Sequence, residues 1–317
     1  MVEYTGVKTC NYTEESNMEN IIDRIKQLKK QKNAVILAHN YQISEVQDIA
    51  DFVGDSFALS KKAKEIDCDV IVFCGVHFMA ESAKVLSPEK TVLLPARDAG
   101  CPMADMVSVD DVEKLRQQHP DAAVVCYVNS SAEVKAVSDV CCTSSNAVKV
   151  VQSLAQHKII FIPDENLGNY IAQQIPDKEI ILFDGYCTTH KRVKAEEVDA
   201  ARKMLPHAKV LIHPECTPDV VGKADFAGST AQIIDYAARS KDKEFIIGTE
   251  QGVLHWLQKH YPEKKFYLLS QKLICPNMKK TTLKDVLNSL ENMSYEIKLE
   301  QELIRKAYGS LNRMLQV

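Results

Sequence analysis

Three cysteines recur at one position of a repeated pattern. Cys101, Cys187 and Cys275 stand 86 and 88 residues apart, and each follows a short apolar run by a few residues. Ahead of each lies a polar pair with one residue between its members: His39 and Tyr41, Tyr127 and Asn129, His213 and Glu215. From the first member to the cysteine is 62, 60 and 62 residues. Hydroxyl side chains follow fifteen positions after each pair, at Ser56, Ser144 and Thr230, the last preceded by Ser229. This period exceeds the roughly 20–50 residues of a solenoid repeat and suits a small domain used three times. Copies set around a pseudo-threefold axis bring three thiols and three polar clusters to one place.

Three converging thiolates suit a soft metal or an iron–sulfur cluster. A cluster on three cysteines leaves one iron without a protein ligand, able to act as a Lewis acid on bound oxygen or nitrogen. A three-thiolate zinc site is the rival reading, although the chain has no Cys-x-x-Cys and hence no zinc-finger spacing. Any one of these cysteines alone reads as a small buried apolar residue; the shared position argues for a joint role. Histidine, glutamate and tyrosine are the usual proton-transfer side chains. Within a strand, the i, i+2 spacing places both members of a pair on one face. Glu215 is the best candidate base, on the expectation that a closed pocket desolvates it. His190, three residues after Cys187, and Glu250, at a strand end, are weaker candidates. Each hydroxyl taken alone reads as a helix N-cap. A helix N-terminus also binds phosphate or carboxylate, and Gly228-Ser229-Thr230 is the best phosphate candidate because glycine lets an anion approach the backbone. The expected substrate is a small anion. No G-x-G-x-x-G, P-loop or G-x-S-x-G motif is present.

The elements that must position these residues alternate. Apolar runs begin at Ala34, Val70 and Thr91, at Ala123, Ile159 and Ile180, and at Lys209, Phe245 and Phe266. Between them lie helical patterns, including Ser44 to Val53, Ala147 to Ala155 and Ala231 to Arg239. Strands alternating with helices predict an α/β fold with parallel sheets, about three strands per unit. In open parallel sheets ligands sit beyond the carboxyl ends of strands, where the pairs and the cysteines fall. Two C-terminal helices, Leu283 to Asn292 and Ser294 to Leu315, are expected to return to the first unit.

The 317 residues are 45% hydrophobic and 26% charged, as in ordinary globular proteins. The net charge of −4 argues against nucleic acid as a partner. No apolar run reaches the roughly 20 residues of a membrane span. The N-terminal stretch lacks the apolar core of a signal peptide, so a cytoplasmic location is expected, where thiols stay reduced. The ten cysteines are then apolar fillers, metal ligands or nucleophiles. Adjacent Cys141 and Cys142 are poorly placed for a mutual disulfide.

Ala38-His39-Asn40-Tyr41-Gln42, Tyr127-Val128-Asn129-Ser130, Thr143-Ser144-Ser145-Asn146, Gly185-Tyr186-Cys187 with His190, His213-Pro214-Glu215-Cys216, Gly228-Ser229-Thr230 and Cys275-Pro276-Asn277-Met278-Lys279 together resemble the quinolinate synthase family, type A. The resemblance runs from about residue 20 through nearly the whole chain. It implies a transferase that condenses iminoaspartate with dihydroxyacetone phosphate, releasing phosphate and two waters, to give quinolinate for NAD biosynthesis. It further implies three similar αβα, Rossmann-like domains around one [4Fe–4S] cluster per chain, with Cys101, Cys187 and Cys275 as ligands. The corresponding boundaries are 1–104 with 277–317, 105–190, and 191–276. By the same resemblance His39, Ser56, Ser144, His213, Ser229 and Thr230 contact substrates, while Tyr41, Tyr127, Asn129 and Glu215 line the reacting centre. A functional link to an aspartate oxidase or dehydrogenase that supplies iminoaspartate is implied as well. The chain lacks the additional Cys-x-x-Cys of some members, so no such redox switch is expected. Cys141, Cys142 and Cys216 receive no role.

Overall fold

A computed structural model describes residues 12–317. Its first unit comprises α1 (Tyr12–Gln31), β1 (Ala34–His39), α2 (Ser44–Ile49), β2 (Phe52–Gly54), α3 (Ser56–Glu65), β3 (Val70–Cys74), α4 (His77–Leu86) and β4 (Thr91–Leu93). The second repeats this order with α5 (Val109–Gln118), β5 (Ala123–Tyr127), α6 (Ala132–Ala136), β6 (Val140–Cys142), α7 (Ala147–Ser153), β7 (Lys158–Ile162), α8 (Glu165–Gln174) and β8 (Glu179–Leu182). The third consists of α9 (Ala195–Met204), β9 (Lys209–Ile212), α10 (Pro218–Val221), β10 (Phe226–Ala227), α11 (Thr230–Arg239), β11 (Glu244–Gly248), α12 (Val253–His260) and β12 (Lys265–Leu268). Helices α13 (Leu283–Asn292) and α14 (Gln301–Met314) end the chain. The three sheets have the same order, β2-β1-β3-β4, β6-β5-β7-β8 and β10-β9-β11-β12, and every strand pair is parallel. The α/β reading and the triplication are therefore met. Central strands such as Val70–Cys74 and Ala123–Tyr127 are buried along their whole length, as continuous Val/Ile/Leu runs require when helices cover both faces.

Each sheet has four strands, not three. The additional strands β2, β6 and β10 are edge strands of only two or three residues. Phe52 and Val53, expected at the end of a helix, belong to β2, and α2 stops at Ile49. An aspartate just before each short strand holds it in place. The Asp51, Asp139 and Asp225 carboxylates accept the N–H groups of Ile36, Val124 and Val210 at 2.8, 2.7 and 2.8 Å. Their own backbone N–H groups donate back to the carbonyls of the same three residues. A basic residue of each unit's first helix, Lys29 of α1, Arg116 of α5 or Arg202 of α9, pairs with the aspartate. The last helical carbonyls of α3, α7 and α11, or those just beyond, receive a lysine ammonium: Lys90 reaches Ala63 and Ile66, Lys178 reaches Leu154 and Gln156, and Lys264 reaches Ala237 and Ser240. A cation there satisfies otherwise orphaned acceptors and complements the helix dipole.

The C-terminal expectation needs correction. α13 does pack on α1 and β3 of the first unit. Residues 294–300 are not helical; Glu296 and Ile297 add a short antiparallel bridge to β4. α14 packs on α6 and β6 of the second unit as well as α4 of the first. Ser310 explains the preference for α6: its hydroxyl donates to the Lys135 carbonyl at 2.7 Å and accepts from Cys141. Among the described residues, no helix is long and apolar enough to cross a membrane.

Candidate active site

The carboxyl ends of β1, β5 and β9 and the loops after β4, β8 and β12 open on one cavity. His39, Tyr41, Ser56 and Cys101 reach it from the first unit. Tyr127, Asn129, Ser144 and Cys187 come from the second, and His213, Glu215, Thr230 and Cys275 from the third. Of the residues expected at the site, only Ser229 is outside this lining. It is fully buried as N-cap of α11, and its hydroxyl lies 2.8 Å from that of Ser145. Ser145 also donates to Asp55, the N-cap of α3, so three helix starts meet behind the cavity. Ser56 and Thr230 are the first helical residues of α3 and α11, while Ser144 lies in the turn before α7.

The i, i+2 spacing has a different cause from the one expected. His39 is the last residue of β1, and Tyr41 lies beyond the strand in a turn. The Tyr41 backbone N–H donates to Nδ1 of His39 at 3.1 Å, and that of Glu215 donates to Nδ1 of His213 at 3.2 Å. An imidazole accepting at Nδ1 carries its proton at Nε2 when neutral. Burial lowers His39 to about 3 and His213 to about 4, so near neutral pH both rings are uncharged Nε2–H donors. The His213 Nε2 lies 3.2 Å from Ser144 Oγ. In the second unit a tyrosine replaces the histidine, and Tyr127 reaches across to donate to Glu215 Oε1 at 2.8 Å.

Glu215 does not have the raised basicity that burial alone predicts. Burial works against the carboxylate, but His213, His190 and the Tyr127 hydroxyl outweigh it and hold the group ionised below the usual carboxylate range. His190 Nδ1 lies 2.8 Å from Glu215 Oε2 and 3.2 Å from Cys187 Sγ. Burial, reinforced by the Glu215 charge, pushes Tyr41 and Tyr127 well above the ordinary phenol value, so both stay protonated. Asn129 Oδ1 is a buried acceptor with no partner, an atom whose burial is costly unless something donates to it.

Burial likewise pushes the Cys101 thiol up to about 12 and raises Cys187 and Cys275. Two of the three cysteine loops are tied down by a buried acid. Asp164 accepts the Cys187 N–H at 3.2 Å, and Glu250 accepts the Cys275 N–H at 3.1 Å; the first unit has Val76 at the corresponding place. Glu250 also pairs with Lys279 at 2.9 Å, and Lys279 donates to the Tyr41 carbonyl at 2.6 Å. The sequence pattern marks Glu250 only as a weaker candidate and gives no role to Asp164 or to Lys279, although Lys279 stands in the last of the family-like motifs. The two acids stand 86 residues apart, a register signal that could have found them.

Residues 23–316 match the model of the Quinolinate synthetase A protein family. The chain belongs to that family. It is 61% identical over 301 residues to a quinolinate synthase of Alkaliphilus metalliredigens, covering 95% of this chain and 99% of the relative. A quinolinate synthase of Caldicellulosiruptor bescii is 58% identical over the same coverage of both chains. One from Clostridium kluyveri is 58% identical over 297 residues, 94% of this chain and 98% of the relative. Membership makes the chain an enzyme of the quinolinate synthase type, acting on small molecules. The family match takes in all three sheets and every cavity residue named above.

Cys187, His190 and Glu215 place a sulfur, a nitrogen and an oxygen within 4.8 Å of one another, close enough to hold a metal ion, and no other such trio of Cys, His or acidic donors occurs among the described residues. The three sulfurs of Cys101, Cys187 and Cys275 therefore do not all lie that close together. A single zinc with Zn–S bonds of about 2.3 Å in tetrahedral geometry needs sulfurs about 3.8 Å apart. A cluster spreads its cysteine ligands over several irons. The wider spacing, three soft donors and the apolar lining from Phe78, Met79, Met103 and Met278 fit an iron–sulfur cluster better than one zinc ion.

Proposed function

We propose that this enzyme condenses iminoaspartate with dihydroxyacetone phosphate to give quinolinate, phosphate and two waters, in NAD biosynthesis. The observation that carries the reading is one cavity where three thiols, one from each unit, lie beside neutral imidazole donors and an ionised glutamate. Cys101, Cys187 and Cys275 would hold one [4Fe–4S] cluster per chain. When bound, it supplies a Lewis-acidic iron that lacks a protein ligand.

The chain's own residues supply binding and proton transfer. The Nε2–H groups of His39 and His213 donate to substrate carboxylate or carbonyl oxygens without adding a charge. Asn129 Oδ1 accepts an N–H or O–H of the substrate. Ser56, Ser144 and Thr230, near the starts of three helices, bind the phosphate, with Ser229 buried behind them holding Ser145, and the N–H groups at those helix starts favour its charge. Glu215 accepts the protons lost as the ring forms and its waters depart, while Tyr41 and Tyr127 deliver or share protons at the reacting oxygens. The enclosing units exclude water from a substrate imine that hydrolyses readily. An aspartate oxidase or dehydrogenase would supply that imine, and a cytoplasmic setting would keep the thiols reduced.

The test is an anaerobic incubation of iron-loaded enzyme with dihydroxyacetone phosphate and freshly generated iminoaspartate. Quinolinate and phosphate are expected in equal amounts. Fully loaded enzyme that makes no quinolinate, or instead dehydrates a hydroxy acid, would overturn the reading.

A further inference from the structure

Each unit touches the next, and every joint is closed by a hydrogen bond at an equivalent place, made by a different side chain. Gln47, Lys135 and Val221 stand 88 and 86 residues apart, on α2, α6 and α10. Phe78, Asn166 and Gly252 have the same spacing, near the starts of α4, α8 and α12. Gln47 Nε2 donates to the Gln42 carbonyl of its own unit and to the Gly252 carbonyl of the third, both at 2.9 Å. Lys135 Nζ makes the same two bonds one unit on, to the Ser130 carbonyl of its own unit at 2.7 Å and to the Phe78 carbonyl of the first at 3.3 Å. Val221 has no donor, and there the bond comes from the other side: Asn166 Nδ2 of the second unit donates to the Glu215 carbonyl of the third at 3.3 Å. Each tie fixes the turn just beyond β1, β5 or β9, and those turns carry Tyr41, Asn129 and Glu215. Lys135 is the odd member. It is wholly buried, and a buried cation is costly where a neutral donor would serve.

We propose that Lys135 is a positioning residue: its ammonium locks the 127–130 turn of the second unit to α4 of the first and so sets where Asn129 presents its amide in the cavity. This inference rests on the reading of Asn129 as an acceptor for substrate. Tyr127 ends β5 and is held by the sheet, whereas Asn129 lies beyond the strand and depends on the turn. Within the turn Ser130 Oγ donates to the Tyr127 carbonyl at 3.0 Å, and Lys135 takes the Ser130 carbonyl. On the other side, α4 gives the cavity Phe78 and Met79. The ammonium therefore joins two walls of the site from outside its lining. The Phe78 ring centre lies 5.4 Å from Nζ, which adds a cation–π attraction. Glu81, buried one turn further along α4, accepts the Ala132 N–H at 3.0 Å. Burial lowers the Lys135 pKa, and the Glu81 charge opposes that shift. The Lys135 carbonyl is held in turn by the Ser310 hydroxyl of α14, so the backbone under the side chain is fixed as well.

The experiment uses the iron-loaded enzyme and quinolinate formation, with iron per chain and the unfolding midpoint measured on every variant. Lys135→Met keeps the length and removes the donor. Its kcat/KM is expected to fall about 10–100-fold, the scale of a displacement of about 1 Å at a reacting centre, with iron content unchanged. Lys135→Ala leaves room for water on the two carbonyls; it should show the same loss and serves should the methionine variant fold poorly. Lys135→Gln places on α6 the neutral donor that α2 already uses for the equivalent carbonyls. It should recover to within about fivefold of wild type, because Glu81, whose pKa burial already raises, can take up a proton and stay in place. Lys90→Met also strands buried carbonyls, at the end of α3 and outside the cavity lining, so it separates lost stability from misplacement; its kcat/KM should be that of wild type. In an Asn129→Ala background the Lys135→Met loss should shrink below about threefold, because residues acting through one another are not additive. Wild-type kcat/KM in the donor-free variants, a loss that glutamine does not reduce, or losses that multiply with Asn129→Ala would each overturn the proposal. Undiminished turnover in Asn129→Ala alone would overturn the reading of Asn129, and the proposal with it.

Discussion

Replacing Gly252 by alanine tests how rigidly the third unit holds the Tyr41 turn. An added Cβ would meet the Tyr41 carbonyl carbon and Cα at 2.7 Å and the Asn40 oxygen at 2.8 Å. These are backbone atoms and cannot swing aside. Gln47, which donates to the Asn40, Gln42 and Gly252 carbonyls together, pins the two segments to each other. Relieving the overlap means separating them by about 1 Å, since carbon atoms pack at roughly 3.5–4.0 Å. Overpacking of this kind costs about 1–3 kcal/mol, and a 1 Å misplacement at a reacting centre costs about 10²-fold in rate. The Gly252 backbone has φ −59°, an ordinary helical value, so the whole effect is steric. Gly309 is the internal control: it is exposed on α14, and a Cβ there meets nothing within 4 Å. Gly309→Ala should stabilise by about 0.5–1 kcal/mol and leave turnover alone. The assay is thermal or denaturant unfolding with kcat, KM and iron content for both variants. A Gly252→Ala enzyme as stable and active as the Gly309→Ala enzyme would refute the claim that this interface fixes Tyr41.

Lys90→Met should cost about 1–3 kcal/mol of unfolding free energy by stranding the carbonyls its ammonium now serves, with turnover unchanged; equal stability would show the α3 cap to be idle. Glu250→Ala leaves the Lys279 ammonium without its carboxylate and the Cys275 amide without its acceptor. A loss of about 3–5 kcal/mol is expected together with weaker iron retention, and an unchanged unfolding midpoint would contradict this. In the metal-free chain burial raises the cysteine thiols, Cys101 to about 12, so near neutral pH they hold protons that metal uptake must displace. Loading should therefore strengthen as pH rises from 6 to 9 and release about three protons per chain. Uptake that is indifferent to pH would contradict the protonated state.

The long buried strands were legible because each has its own apolar run. β2, β6 and β10 were not, because two or three residues make no pattern by themselves. Their cue lay in the repeat: Asp51, Asp139 and Asp225 stand 88 and 86 residues apart. α14 does meet the first unit, at α4, but its packing on α6 and β6 of the second was not legible, because amphipathicity identifies a buried face without naming its partners, which here depend on Ser310 and Lys135. At the site, the His39/Tyr41 and His213/Glu215 spacing was visible, but its cause is an amide held against an imidazole beyond the strand. The acidity of Glu215 was hidden for another reason. Tyr127 and His190 come from the second unit, and no local pattern in the third foretells donors that arrive across an interface.

The central claim is that three units supply one sulfur each to a single inorganic centre. Its most direct test is anaerobic iron and sulfide analysis of the wild type and of Cys101→Ala, Cys187→Ala and Cys275→Ala, with Cys216→Ala as a buried cysteine outside the cavity lining. The account predicts about four irons and four sulfides per wild-type chain, a similar content in Cys216→Ala, and a large loss in each of the other three. A colourless, metal-free wild type that still makes quinolinate, or iron that survives removal of any of the three thiols, would contradict it.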